Sequence, residues 1–252
     1  NCKESLLSGD SFFYLINMAT YLSLTNELLQ RLGEVQMDTS EFAGARNIQA
    51  LAKTAINSSV REILHVAQEW PFTLQTETQT LTVGQSVYDF PATLSSVDWE
   101  SFYLKSLNNE NTPLRLKILT YVDYLNNYRP QDDLNGTTGH TSPRFVYQTQ
   151  DLKFGVSPLP DKAYELEFKY WVFPESLSAA TDVCIIPDRF SSVILDGAMV
   201  YMMIYRSNEQ SAAIHQTRFD LGIKTMRRLF LDEPLYVTST AIVAGNLSGR
   251  LI

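Results

Sequence analysis

Few residues in this chain have the type and spacing that chemistry needs. Asp132-x-x-Asn135, with His140 beyond it, gathers oxygen and nitrogen donors in one polar loop, the kind of set that holds a divalent cation. The spacing lacks the alternating ligands and closing bidentate glutamate of a calcium loop, so the segment reads as a surface loop. Glu165 and Glu167 are paired carboxylates, but on one strand they share a face. They cannot stand on opposite sides of a scissile bond, as an acid/base pair must, and read as a solvated strand face. His65 falls one residue off the apolar stripe of its helix and reads as a boundary residue rather than a ligand. Cys2 and Cys184 are two lone thiols, which support neither a disulfide framework nor a cysteine-rich metal site and fit a reducing compartment. No Ser/His/Asp or Cys/His set stands out. The expectation is a protein without catalytic residues, metal or cofactor.

The charge balance narrows the partners. Among 252 residues the formal net charge is −8, which argues against a general phosphate-binding surface, since such surfaces need a clustered excess of Lys and Arg. A negative surface is compatible with lining a passage for DNA. Arg218, Lys224, Arg227 and Arg228 gather in the second half of one helical pattern, where cations meet the helix C-terminus favourably. With 44% hydrophobic and 19% charged residues the chain is globular in composition, long enough for one or two domains. The apolar run Phe12 to Ile16 is too short to span a membrane and lacks the flanks of a secretory signal, so no membrane partner is expected. Residues 1–17 are expected to lie outside the architecture as an N-terminal extension, with a natural beginning at Met18.

The elements that must carry these residues begin with helices. Thr25 reads as the cap of a short helix of about two turns, with Leu28, Leu29 and Leu32 on its face and Gly33 at its end. From Ser40 to Phe72, the apolar positions Ala45, Ile48, Ala52, Ala55, Ile56, Ser59, Val60, Ile63 and Ala67 predict one long helix with a small-residue face. Thr39 or Ser40 is its expected cap, with Glu41 in the first turn, and Pro71 stops it between Gln68 and Trp70. The period then changes from 3.6 to 2. Phe72, Leu74, Thr76 and Thr78 alternate, followed by Leu81, Val83, Val87 and Phe90, and the strand ends at Pro91. Val97 to Lys105 and Pro113 to Ile118 read as strands joined over Asn108 to Asn111, and Thr120 to Tyr128 as a short helix before a polar loop from Pro130 to Pro143. Arg144 to Thr149 and Leu152 to Val156 read as a hairpin. Tyr164, Leu166, Phe168, Tyr170 and Val172 make the clearest half-buried strand.

Helical periodicity returns after Pro174. Pro187 and Asp188 open a helix whose face is Phe190, Val193, Ile194, Gly197, Ala198, Tyr201 and Ile204. Gly197 and Ala198 are small enough for close approach, and the alanine-rich face of the long helix is the expected neighbour. Ser207 is the expected cap of the last helix, with Ala212, Phe219, Ile223, Met226 and Phe230 inward. Beyond Pro234 the apolar residues Leu235, Tyr236, Val237, Ile242, Val243, Leu247, Leu251 and Ile252 form an arm that is expected to bury them against a partner.

The order of these motifs resembles the head-to-tail adaptors of short-tailed bacteriophages, the tail tubular protein A or gatekeeper family. The resemblance rests on Leu28-Leu29-Gln30-Arg31-Leu32-Gly33-Glu34-Val35, on Trp70-Pro71-Phe72 closing the long helix, and on Tyr88-Asp89-Phe90-Pro91. It continues through Phe154-Gly155-Val156-Ser157-Pro158-Leu159-Pro160-Asp161, the Tyr164 to Tyr170 strand, Ile186-Pro187-Asp188-Arg189-Phe190 and Asp196-Gly197-Ala198. It spans about Met18 to Leu231. It implies an α+β fold: an antiparallel helical bundle from residues 18–71 and 186–232, an inserted antiparallel β domain, sandwich or barrel-like, over 72–185, and an extended C-terminal arm over 233–252. It further implies a virion protein forming a ring of about twelve copies between the portal and the tail nozzle. The arm would reach the portal, nozzle and fiber proteins would sit below, and genomic DNA would pass through the lumen without sequence-specific binding. Two other classes fit the residues less well: a tail-associated cell-wall hydrolase, and a carbohydrate-binding β module using Tyr88, Trp99, Tyr103 and Trp171.

Overall fold

The computed structural model describes residues 18–67, 69–105, 113–134 and 140–231, with the side chains of residues 131, 133 and 134 outside that description. Helix α1 is Tyr21–Leu32. Its cap is Thr20, whose side chain accepts from the Ser23 amide at 3.2 Å, and it ends at Gly33 in the left-handed conformation (φ 72°). Thr25, the expected cap, lies a turn inside, fully buried, with Oγ1 donating to the Tyr21 carbonyl at 2.8 Å. That hydroxyl satisfies itself on the preceding turn and so leaves no cap signal of its own.

The expected long helix is broken into α2, Thr39–Phe42, and α3, Asn47–Val66. Asp38 precedes α2 as its cap position, one residue before the expected Thr39. At the break, the Phe42 carbonyl is taken by a side chain eleven residues along the chain. A continuous helix would give the Phe42 carbonyl to the amide four residues on; instead Lys53 Nζ donates to it at 2.9 Å and lies 4.1 Å from the Phe42 ring centroid. The ring packs edge-on against Tyr21, 5.0 Å away, and Asn47 restarts the helix at φ 51°, a conformation that Asn tolerates better than most residues. At the other end α3 stops at Val66 with Ala67 extended, and Trp70 is buried with its indole donating to the Ile63 carbonyl at 3.1 Å.

Eight strands follow among the described residues: β1 Leu74–Leu81, β2 Val87–Tyr88, β3 Leu94–Leu104, β4 Leu114–Arg115, β5 Lys117–Leu119, β6 Phe145–Gln148, β7 Phe154–Ser157 and β8 Tyr164–Val172. Helix α4, Tyr121–Asp123, a π-helical turn over Tyr124–Tyr128 and helix α5, Arg129–Leu134, run between β5 and β6. The strands form two four-stranded sheets, β1-β8-β3-β4 and β2-β7-β6-β5, neither of them closed. The first is antiparallel throughout, as expected. The second is not, because β5 and β6 are parallel. Parallel neighbours need a crossover, and the helical segment from Tyr121 to Leu134 supplies it, where the sequence pattern suggested a helix followed only by loop. Asn108 to Asn111 and residues 135–139 of the expected 130–143 loop lie outside the described residues, and residues 130–134 belong to α5.

Strand β8 alternates as expected, with Tyr164, Leu166, Phe168 and Tyr170 buried. Strand β1 has the opposite phase from the one expected. Leu74, Thr76 and Thr78 are exposed, while Leu81 is buried and Glu77 and Gln79 are half-buried. Register explains it: Leu81, Gln79 and Glu77 stand opposite Tyr164, Leu166 and Phe168, and cross-strand partners share a face. Phe102 and Phe168 from one sheet stack at 5.0 Å, and Phe154 from the other packs 5.5 Å from both, so the two sheets share one core.

The chain then returns to the helices through a turn at Asp188–Phe190 into α6, Ser191–Tyr205, and α7, Glu209–Phe230. The cap of α7 is Asn208, whose Oδ1 accepts from the Ser211 amide at 3.1 Å; Ser207, expected in that role, instead takes φ 54° in the connecting turn. Helices α1, α2, α3, α6 and α7 share a second core with Trp70, Cys184 and Ile186.

Candidate functional site

The residues singled out for chemistry are dispersed. Asp132 accepts a hydrogen bond from Ser157 Oγ at 3.1 Å, His140 lies against Gly84, and Asn135 is outside the described residues. No group of three His, Cys, Asp or Glu side chains converges among the described residues. Glu167 pairs with Lys105 across to β3, so this face is an ion-paired surface and not an open acid/base pair. His65 packs its ring 4.8 Å from Phe173. Cys184 is fully buried, and burial pushes its thiol up to about 11, which keeps it protonated and inert.

The aromatic set also separates. Tyr88 is buried, stacked 5.5 Å from Phe154, with its hydroxyl accepting from the Thr82 amide at 2.9 Å. Trp99 stacks on Phe102 at 5.5 Å, while Tyr103 is exposed on the same strand and Trp171 is half-buried on β8. They form core and surface, not a single binding platform. An open groove of about 350 Å³ lies along β5, lined by Trp99, Ile118, Tyr121, Gln148 and Gln150. Sequence reading missed it, since its lining is brought together from β3, β5 and the end of β6, and the β5/β6 pairing was not expected.

What the helices build is a tightly fitted scaffold. Gly197 of α6 faces α3 so closely that a Cβ there would lie 2.3 Å from Ser59 Oγ and 2.6 Å from the Phe219 ring of α7. Ser59 Oγ donates to the Ile194 carbonyl at 2.8 Å, which fixes α3 to α6 through a fully buried hydrogen bond. Of the small face read from Ala45, Ala52, Ala55 and Ser59, Ser59 meets Gly197, Ala52 and Ala55 are buried in the same core as Ala198, and Ala45 lies before α3 begins. Gly222 of α7 packs against Val193 in the same way, and the contacts of 193 with 222 and 197 with 219 run α6 and α7 antiparallel. Asp196 and His215 join the two helices at 2.9 Å.

The last turn of α6 departs from the expected stripe. Tyr201 and Ile204, expected inward, are 41% and 60% exposed, and the Tyr201 hydroxyl donates to Glu62 at 3.1 Å. Burial along α6 follows the flanking helices α3 and α7, which cover several sides of Val193 to Met202, rather than a single stripe. Tyr205 on α6 and Ile214, Leu221 and Leu229 on α7 are exposed as well. Leu235, Tyr236, Val237, Ile242, Val243, Leu247, Leu251 and Ile252 lie outside the described residues, as do residues 1–17.

No helix among the described residues is long and apolar enough to cross a membrane. No curated protein matches the chain. A family model described as SU10 adaptor protein matches residues 19–241, from before α1 to beyond α7. The chain therefore belongs to the SU10 adaptor protein family and is a phage head-to-tail adaptor, a structural protein of the virion.

Proposed function

We propose that this adaptor assembles as a homo-oligomeric ring of about twelve copies between the portal and the tail nozzle, completing the passage for genomic DNA. The observation that carries the reading is the family match over residues 19–241, which joins the helices and the strands in one adaptor unit. In this reading the helices of residues 18–71 and 186–232 are the ring scaffold. The strands of 72–185 face nozzle and fiber proteins, and residues 233–252 are the arm that docks on the portal through Leu235, Tyr236, Val237, Ile242, Val243, Leu247, Leu251 and Ile252. In this reading the arm's apolar residues are buried against the portal on assembly. The negative charge of the chain supports transit of DNA over its retention.

Deleting residues 235–252 tests the arm. The truncated protein should fold, with the thermal transition of the full chain, and fail to sediment with portal-bearing particles. Undiminished attachment would remove the arm from the mechanism. Electron microscopy of the particles tests the ring itself, which should appear at the neck.

A further inference from the structure

Helix α7 carries two stripes. One, Phe219, Ile223 and Met226, is buried in the helical core. The other runs through Ile214, Arg218, Leu221, Thr225 and Arg228 at spacings of three and four, so these residues share the outward side. All five are exposed, Ile214 at 56% and Leu221 at 57%. Lys224 adds a further exposed cation on this half, and Asp220 is its one carboxylate, accepting from Gln216 at 3.0 Å. Solubility alone needs no alternation of large apolar and basic residues along one helix side.

A complementary surface lies on a different element. The α1–α2 corner, Glu34 to Phe42, contains Glu34, Asp38 and Glu41 and no Lys or Arg. Val35 in the same corner is 78% exposed, and Asp38 and Glu41 are exposed beside it. The corner is held in place: Asn26 donates to the Met37 carbonyl at 2.8 Å and accepts from its amide at 2.9 Å, and Met37 is buried. Arg206 engages Glu34, which leaves Asp38 and Glu41 as the outward charges. Helix α7 packs on α6, and α6 in turn packs on α3 and α1, so the corner and the α7 stripe belong to different parts of the helical layer.

We propose that the α7 stripe of one copy docks on the α1–α2 corner of the next, Ile214 and Leu221 against Val35, and Arg218 and Arg228 against Asp38 and Glu41. Two different patches make the contact heterologous, and a heterologous contact that closes generates a ring. The inference rests on the ring reading above and names the faces that form it. Charge complementarity fixes partner and register, while the apolar residues supply the area.

The test uses two full-length variants. Arg218→Glu with Arg228→Glu leaves both patches acidic, and Asp38→Lys with Glu41→Lys leaves both basic. Each alone brings like charges together, whereas an equimolar mixture can alternate around a ring. Assembly on portal-bearing particles is read by sedimentation and electron microscopy, with the thermal transition of each variant confirming its fold. Each variant alone should lose about tenfold or more of the assembled fraction, and the mixture should regain the wild-type level. Wild-type assembly by either variant alone, or no recovery in the mixture, would overturn the assignment of these faces and leave the ring standing. Failure of the wild-type chain itself to form a neck ring would overturn the ring reading, and this inference with it.

Discussion

Replacing Gly197 by Ala probes the point where α3, α6 and α7 come closest. A Cβ at 197 would lie 2.3 Å from Ser59 Oγ and 2.6 and 2.9 Å from two atoms of the Phe219 ring, against an ordinary contact of 3.4 to 4 Å. Neither neighbour can retreat freely. Ser59 is held by its bond to the Ile194 carbonyl, and Phe219 is 1% exposed. Overpacking of a fitted core costs ~1–3 kcal/mol. If Ser59 rotates away, its buried hydroxyl loses its acceptor, at a cost of ~1–3 kcal/mol. The two together predict a loss of ~2–6 kcal/mol, which for a chain of this size lowers Tm by roughly 4–24 °C. Urea and thermal denaturation of Gly197→Ala, Ser59→Ala and the double variant measure it as a cycle. Because Ser59→Ala removes the closer of the two obstacles, the double variant should lose less than the sum of the single variants. A Tm for Gly197→Ala within about 1 °C of wild type, or strict additivity, would refute the fitted junction.

Three other measurements follow from the same core. Ala55 is 3% exposed on α3, and Ala55→Leu should cost ~1–3 kcal/mol by overpacking; an unchanged Tm would mean that this side of α3 faces open space. Tyr21 is buried, and desolvation pushes its phenol up to about 12. The folded state therefore keeps the proton after the unfolded chain has lost it. The contribution of Tyr21 is complete below pH about 10 and falls away between about 10 and 12, by ~2–3 kcal/mol. Tyr21→Phe should flatten that alkaline loss while lowering stability at neutral pH, because its hydroxyl donates to the Lys53 carbonyl at 2.8 Å and accepts from Asn57 at 3.0 Å. In a Cys2→Ser variant, the remaining thiol, Cys184, should react with a thiol reagent only as the protein unfolds; reaction at the rate of a free thiol in native buffer would contradict its burial.

Much of the scaffold was legible because its determinants are local. Gly33 ends α1, and the alternation over Tyr164 to Tyr170 is a strand wherever it is placed, whereas α3 stops at Val66, two residues before the earliest end that Pro71 suggested. Ser59 and Gly197 could be matched in advance because small residues on two helix faces have few other uses. The misreadings share a different origin. The break between α2 and α3 depends on Lys53, eleven residues away, taking the Phe42 carbonyl. The phase of β1 depends on its register with β8, and the parallel β5/β6 pair depends on a crossover whose turns carry no strong sequence mark. Thr25 and Ser207 are residue types that cap helices, yet Thr20 and Asn208 took those roles. The candidate contact stripe of α7 was hidden for a related reason: its cations were explained by the helix dipole, and only the exposure of Ile214 and Leu221 shows that they share a side with apolar residues.

One cluster links the two halves of the molecule in a way that bears on mechanics. Phe230, at the end of α7, lies 5.4 Å from Phe72, 6.4 Å from Trp70 and 5.5 Å from Phe190, with the Arg189 guanidinium 5.0 Å from its ring. Phe72 sits two residues before β1 begins. A force applied to the chain beyond α7 therefore meets these interlocked rings before it can peel the helix from its neighbours. Because Phe72 of the same ring cluster stands at the entry to β1, tension at the end of α7 reaches the start of the strand layer through these rings.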